Sequence, residues 1–366
     1  MIVGVPHEVK DGERRVGLTP EVVRILTEEG HCVLVQQDAG SAVGFPDAAY
    51  QAAGATVVRT PAQVYAADLV VKVKEIYPQE YALLRPGLIT FCFQHFAPAP
   101  NLLQACLDAR VTAIAFETVG QSSGLPILKP MSEIAGRLSI QMAMWALQTV
   151  NGGSGVLLQG TPTVAPGKVV VIGAGASGAN AVDVAASLGC RTVVFARSRR
   201  RLDALDAKWP GKITTHVYDA VALAREIADA DAVIGAVLNP GQTSPTLITR
   251  AMLRSMRAGS VFVDIGIDQR GIAESSRPTS HSAPLFIEEG VVHYCVPNMP
   301  AAVARTATLA LASATLSYVK ALCTKGFRAA IEEDAALCEG TQLFDGHVVH
   351  AHLARDTARP FTQTPW

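Results

Sequence analysis

The chain has 366 residues, 49% of them hydrophobic and 17% charged, which excludes a disordered protein and leaves room for two buried cores. Its 31 basic and 32 acidic side chains nearly cancel, so no electrostatic field is present to gather nucleic acid or an anionic membrane, and a small-molecule ligand is expected. The seven cysteines are scattered, without a CxxC pair, and fit buried thiols in the reducing cytoplasm. Met1 runs directly into the strand-like Ile2–Val5, so no signal peptide is read. The longest apolar stretches are broken by glycine or polar residues, and no membrane span is expected.

From the N-terminus, strand and helix signals alternate. Ile2–Val5, Cys32–Gln36, Ala55–Val58, Leu69–Lys74, Leu88–Phe93 and Thr112–Ala115 are β-rich, and Pro20–Glu29 reads as a helix capped by Thr19 with Pro20 in its first turn. An apolar pattern of helical spacing from Met131 to Leu147 predicts a long connector, ended by Asn151-Gly152-Gly153. Strands follow at Lys168–Ile172, Thr192–Phe195, Ala232–Gly235, Ser260–Ile265 and His293–Val296, with helices over Ala220–Ala228 and Thr308–Lys325. The fold class is therefore α/β: two Rossmann-like, doubly wound parallel sheets joined by long helices. Residues 1–130 and 306–366 are assigned to a substrate domain and residues 131–305 to a dinucleotide-binding domain. The tail beyond Glu339, with His347, His350 and His352, lacks carboxylate or cysteine company for a metal and reads as a surface segment or subunit contact. No metal is expected.

The most informative stretch is Lys168-Val169-Val170-Val171-Ile172-Gly173-Ala174-Gly175-Ala176-Ser177-Gly178, followed by a helix-like Ala179–Leu188. A continuous β-branched strand running into GxGxxG and then a helix is a dinucleotide-binding pattern. The first glycine makes the turn, the second lets backbone approach a pyrophosphate, and the third lets helix and strand pack closely. The helix N-terminus turns its amides to the phosphates. Gly173, Gly175, Ala176, Ser177 and Gly178 are thus the cofactor-binding candidates.

Charged residues at strand ends are the candidates for chemistry, because open α/β sheets place their sites beyond the carboxyl ends of their strands. Lys74 and His95 each end an apolar run, with Lys72 competing for the lysine's role, and Arg15 stands just ahead of a helix start, where a guanidinium can grip a carboxylate in two-point fashion. Imidazole titrates near neutrality and can pass protons. In the later half, Asp264 and Asp268 follow a buried strand, and Asn298 lies in a proline-bracketed loop. Asp264 is read first as tying down a loop, with Asp268, further out, the better candidate for chemistry, and Asn298 can equally be a turn former.

These blocks, in order, resemble the alanine dehydrogenases and, more distantly, the nucleotide-binding subunit of proton-pumping transhydrogenases. The resemblance runs from Ile2 to about Phe361 and is carried by Val3-Gly4-Val5-Pro6, Arg15-Val16, Thr19-Pro20, Val71–Glu75, Pro130–Arg137, Val171–Gly178, Ile234–Val237, Val263–Gln269 and Asn298-Met299-Pro300. It implies reversible oxidative deamination of L-alanine to pyruvate and ammonia with a nicotinamide cofactor. In that pattern Arg15 matches the arginine on the substrate carboxylate, Lys74 the lysine on its carboxylate or carbonyl oxygen, and His95 the acid/base. Asp268 matches the aspartate that shares the proton steps, and Asn298 lines the pocket. Ser132 would contact cofactor ribose, and Val237 and Met299 would pack around the nicotinamide. Members are commonly hexamers, so a homo-oligomer is expected.

One position departs from the pattern. The acidic residue that would bind the adenosine 2′-hydroxyl falls at Ala196, followed by Arg197-Ser198-Arg199-Arg200-Arg201. NADP(H) is therefore the expected cofactor with NAD(H) as the alternative, Arg197 and Arg201 being the candidate phosphate contacts. Gln94 and Gly266 also depart at the pocket's edge. Two other classes stay open on sequence alone: an imine reductase joining a 2-oxo acid to an amino acid's amine, as in carboxyethylornithine synthases and saccharopine dehydrogenases, and a non-catalytic nucleotide-binding module.

Overall fold

The computed structural model describes residues 1–121, 124–237 and 244–364. The chain divides into two compact units, Met1–Met131 with Val303–Trp366, and Ser132–Ala302. In the first unit, strands β1 (Ile2–Val5), β2 (Cys32–Gln36), β3 (Thr56–Val58), β4 (Leu69–Val71), β5 (Ile89–Cys92) and β6 (Thr112–Ala115) lie in the order β6-β5-β4-β1-β2-β3. All are parallel. The order reverses between β1 and β4, so the loops leaving these two strands part and open a crevice at their carboxyl ends. Because helices cover the faces, β4, β5 and β6 are buried at every position and carry no polar alternation. The helix Pro20–Glu28 starts where the sequence places it, with the Thr19 hydroxyl accepting from the Val22 amide at 3.4 Å.

The second unit repeats the plan. Strands β7 (Lys168–Ile172), β8 (Arg191–Ala196), β9 (Ile213–Val217), β10 (Ala232–Gly235), β11 (Val261–Asp264), β12 (Leu285–Glu288) and β13 (Val291–Tyr294) form a sheet ordered β12-β13-β11-β10-β7-β8-β9. Its switch point lies between β7 and β10, and among its described strands only β12 is antiparallel. Val170, Ile172, Phe195, Val233 and Phe262 meet Leu223, Ile227 and Leu253 in its core.

The tail is an integral part of the first unit, contrary to the expected surface segment. β14 (Thr341–Phe344) pairs antiparallel with β6, and β15 (His347–Val348) pairs with β14. Leu343, Val348 and Leu353 are buried with Val70, Leu88 and Phe96. Of the tail histidines, His350 accepts from the Leu353 amide and meets Glu339 at 3.3 Å, an end cap for the helix Ala351–Asp356. The helical stretch Met299–Lys325 is long and apolar enough by composition to cross a membrane, and its helix Ala304–Lys325 buries Ala307, Leu311, Thr315, Val319 and Leu322 as one stripe and pairs Lys320 with Glu29 at 2.5 Å. That spacing is the face of a core helix.

Two element boundaries differ from the sequence reading in ways that matter for the site. β4 ends at Val71, so Lys72 and Lys74 lie in the turn beyond it, tied back by the Lys72 amide on the Phe91 carbonyl, the Phe93 amide on the Val73 carbonyl and the Val73 amide on Glu8. The helix after the glycine turn begins at Ala176, which places Ala176, Ser177 and Gly178 in its first turn.

Candidate active site

In the first unit, every candidate leaves the carboxyl edge of a parallel strand. Arg15 follows β1 and is buried, at 2% exposure. Glu13 fixes the plane of its guanidinium, accepting from Nε at 2.7 Å and from Nη2 at 2.6 Å, while Nη1 approaches the Met131 sulfur at 3.3 Å. The Thr308 hydroxyl accepts from the Val16 amide and pins the same loop. Arg15 is thus held rigidly, with its fork set by a carboxylate in advance of any ligand.

The two lysines separate cleanly. Lys72 is fully buried, and its ammonium sits on both oxygens of Glu80, at 2.8 and 2.7 Å, with Glu8 at 3.9 Å. Burial lowers its pKa, but Glu8 and Glu80 together push it upward. It is a structural cation. Glu8 accepts from the Val73 amide at 2.6 Å, and burial pushes its carboxyl up to about 7 against the pull of Lys72. Lys74, in contrast, reaches the Oε2 of Glu75 at 3.6 Å.

His95 reaches the same oxygen. Its Nδ1 lies 3.1 Å from Glu75 Oε2, so Lys74 and His95 converge on one carboxylate. The histidine is thrown out of the β5 line by a left-handed backbone, φ +49°, a conformation costing on the order of 1–2 kcal/mol for a non-glycine residue. Glu117 stabilises it by accepting from the amides of His95 at 2.8 Å and Gln94 at 3.1 Å. The ring stacks on Phe93, and the side chain is 44% exposed. Burial would raise the Glu75 carboxyl, yet the hydrogen bond from His95 and the charges of Lys74, His95 and Lys10 carry it well below the ordinary carboxylate range. Glu75, Glu13, Glu117 and Glu8 are the residues missed from sequence. The signal was present in the charges crowding the Val71–Glu75 run, but only the fold reveals which atoms they hold.

The second unit gathers its candidates at the carboxyl ends of β7, β8, β10, β11 and β13. Gly173 has φ +114°, and a Cβ there would overlap the Ala236 carbonyl; at Gly178 it would overlap the Gly173 carbonyl. Both glycines are demanded by packing. Gly175 differs, because among the described residues a Cβ would meet only the Arg201 guanidinium, at 3.8 Å. Packing does not account for that glycine. Gly175 is the residue before the helix Ala176–Ser187, whose first turn is capped by no side chain among the described residues. Such a cradle of amides is able to hold a pyrophosphate.

Around the cradle, Ala196 closes β8 with its side chain buried, Arg197 and Arg201 are exposed, and the Ser198 hydroxyl accepts from the Arg201 amide. Gly136 packs on the Ser177 carbonyl, which brings half-buried Ser132, one turn earlier on the helix Leu128–Ala146, toward the glycine turn. Val237 follows β10, its carbonyl accepting from the Ser244 hydroxyl at 3.3 Å. Asp264 is the loop-tying carboxylate: it accepts from the amides of Gly266 and Ile272 and the Ser276 hydroxyl. Burial pushes its carboxyl up against those bonds. Asp268, in the turn Ile265–Gln269, is exposed. Asn298 adopts φ +58° and its carbonyl accepts from the Ala301 amide, while Met299 is buried.

Comparison with known proteins gives the same reading across the chain. Residues 4–135 match the family described as alanine dehydrogenase/PNT, N-terminal domain, and residues 139–351 the corresponding C-terminal domain. The alanine dehydrogenase of Bacillus subtilis is 44% identical over 357 residues, covering 97% of this chain and 94% of that protein. A solved L-alanine dehydrogenase superposes with a TM-score of 0.95 at 42% identity, covering 98% of this chain and 99% of that one. A transhydrogenase from Sinorhizobium meliloti follows at a TM-score of 0.84 and 25% identity, covering 95% of this chain and all of that one. From its strand-end cluster of cations to its glycine cradle, the chain belongs to the alanine dehydrogenase/PNT family.

Proposed function

We propose that this protein is an alanine dehydrogenase, an oxidoreductase that converts L-alanine and water to pyruvate and ammonia and runs the reverse, with NADP(H) preferred over NAD(H). The observation that carries this reading is the convergence of Lys74 and His95 on Glu75, on the strand edge that also bears Arg15. A 2-amino acid needs a cation for its carboxylate, and Arg15 offers a preset fork. The forming carbonyl needs a donor, which is Lys74. His95 takes a proton from the water that adds to the imine carbon and returns one to the departing amine of the carbinolamine. Asp268 is assigned to the same proton steps and Asn298 to the pocket lining. The nicotinamide, when bound, accepts or returns the hydride of the substrate Cα.

The cofactor site supports the preference for NADP(H). A carboxylate at the end of β8 would hold the 2′-hydroxyl and repel a 2′-phosphate, and the residue there is Ala196. Arg197 and Arg201 supply positive charge immediately after it. Ser132, Gly173, Gly175, Ala176, Ser177, Gly178, Val237 and Met299 complete the proposed cofactor contacts. Cytoplasmic residence and a homo-oligomer, hexameric by resemblance, belong to the same reading.

A nicotinamide absorbance assay decides it. Pyruvate with ammonium, glyoxylate with ammonium, pyruvate with amino-acid amines, and L-alanine are each offered with both cofactors. Turnover of L-alanine and of pyruvate with ammonium, faster with NADP(H), is expected. Activity only with amino-acid amines would make the protein an imine reductase instead, and no turnover by folded protein would sink both readings.

A further inference from the structure

The Glu75 carboxylate divides its two oxygens between two jobs. Oε1 accepts from the Tyr77 hydroxyl at 3.0 Å and from the Lys10 ammonium at 3.4 Å. Oε2 faces Lys74 at 3.6 Å and His95 Nδ1 at 3.1 Å. One oxygen anchors the carboxylate, and the other serves the groups proposed to touch substrate. Lys10 lies over the Tyr77 ring at 5.8 Å and Tyr77 is half-buried, so the anchor is itself braced.

We propose that Glu75 is a positioning residue for proton transfer, holding the His95 imidazole as the Nδ1–H tautomer with Nε2 turned to the reacting groups, and that Lys10 and Tyr77 hold Glu75 for that task. An ionised carboxylate can only accept, so the nitrogen it faces must carry the proton. Glu75 stays ionised across the working range, since its carboxyl is carried far below the usual range despite the burial that would raise it. The remaining ring nitrogen then has a lone pair, which a general base requires. When Nε2 takes a proton, the ring becomes a cation beside an anion already in place. His95 needs such a holder. Its side chain is 44% exposed, and among the described residues its ring is otherwise stacked on one face, against Phe93. Without Glu75 the imidazole would sample both tautomers and other rotamers, and only a fraction of molecules would present a basic Nε2.

This inference rests on the reading of His95 as the acid/base, and the experiment separates the two. Wild type, Glu75→Ala, Glu75→Gln, Tyr77→Phe and His95→Ala are compared as the full chain, with folding checked by circular dichroism. A positioned acid/base contributes about 10²–10⁴-fold. Glu75→Ala should therefore lose about 100-fold in kcat, and Glu75→Gln, which keeps an acceptor oxygen, about tenfold. Tyr77→Phe should lose a few-fold, and cofactor dissociation constants should not move. Imidazole 15N signals, with His95 assigned by its loss in His95→Ala, should show Nδ1–H in the wild type and a mixture in Glu75→Ala. A Glu75→Ala kcat within about threefold of wild type, an Nε2–H wild type, or a loss confined to KM for pyruvate would overturn the proposal, the last because Glu75 would then act through Lys74. If His95→Ala keeps wild-type turnover while the wild type oxidises L-alanine, the His95 reading falls and this inference with it.

Discussion

Glu13 and Arg15 close a two-point clasp, Oε1 on Nε and Oε2 on Nη2, with both side chains at 1% exposure or less. Two charges removed from water are tolerated there because each satisfies the other, and removing one partner of such a pair costs about 3–5 kcal/mol. Glu13→Gln should therefore destabilise the protein by about that amount in urea unfolding. Arg15→Lys, a point charge without a fork, should lower kcat/KM for pyruvate by about 100-fold and leave cofactor affinity unchanged. Equal kcat/KM for Arg15→Lys and wild type would remove Arg15 from the substrate site.

Lys72 and Lys74 make a matched test of structure against function. Lys72→Met strands the buried Glu80 and Glu8, so stability should fall by about 3–5 kcal/mol. Lys74→Met should be close to neutral for stability and lose about 10²–10³-fold in kcat, the usual cost of removing a donor from a developing oxyanion. Exchanged phenotypes would mean that the lysine roles are reversed.

What the sequence disclosed and what it hid follow from range. The glycine turn and the buried inner strands are local patterns, continuous β-branched runs bounded by turn residues, and they stand close to where the pattern puts them; Thr112–Ala115 and Ala232–Gly235 coincide with it residue for residue, whereas the half-exposed edge strands β9 and β12 carry no such buried run and escape the sequence reading. β14 was hidden because Thr341–Phe344 is short and half polar, and its partner β6 lies more than two hundred residues earlier in the chain. The choice between Lys72 and Lys74 could not be made either. Spacing puts both on one face of an extended strand, whereas the strand stops at Val71 and Glu80 claims only the first of them. The carboxylates that organise the site were hidden for a related reason: Glu13 and Glu75 read as solvated neighbours of cations until their oxygens are seen to hold particular nitrogens.

Glu8 provides a pH test. Burial, opposed by Lys72, lifts its carboxyl from 4.5 to about 7. The folded protein therefore binds a proton that the unfolded chain releases between those values, so Glu8 makes stability fall as pH rises through that window. With about 1.4 kcal/mol per pKa unit, the loss is on the order of 3 kcal/mol. Glu8→Gln, which keeps an oxygen for the Val73 amide, should erase that slope. Urea unfolding of both proteins at about pH 5 and about pH 7.5 measures it; parallel changes in the two would show that Glu8 titrates normally.

The glycines of the turn should part ways on substitution. Gly178→Ala forces a Cβ into the Gly173 carbonyl and should cost stability before any ligand is added, by about 1–3 kcal/mol. Gly175→Ala meets, among the described residues, only the Arg201 guanidinium at 3.8 Å, so the unliganded fold should tolerate it. Its methyl would occupy the space a pyrophosphate needs, and affinity for both cofactors should fall at least tenfold. Unchanged affinity in Gly175→Ala would place the pyrophosphate elsewhere.

The proposed NADP(H) preference turns on which arginine meets which phosphate. The Arg201 guanidinium lies 3.8 Å from where a Gly175 Cβ would stand, beside the turn that every dinucleotide of this kind shares. Arg197 is the residue directly after Ala196, where only an NADP(H) carries its additional phosphate. Arg201→Ala should thus weaken NADPH and NADH alike, while Arg197→Ala should weaken NADPH alone. Hydrogen bonds to charged groups contribute roughly 1.5–3 kcal/mol, so the selective loss should be about tenfold or more. Ala196→Asp adds the converse element, a carboxylate that accepts from the ribose hydroxyls and repels a 2′-phosphate. Combined with Arg197→Ala it should reverse the kcat/KM ratio of NADPH to NADH. A wild-type ratio at or below unity would end the NADP(H) assignment. A ratio above unity that the double variant fails to reverse would transfer the phosphate contact from Arg197 to another residue of the 197–201 run.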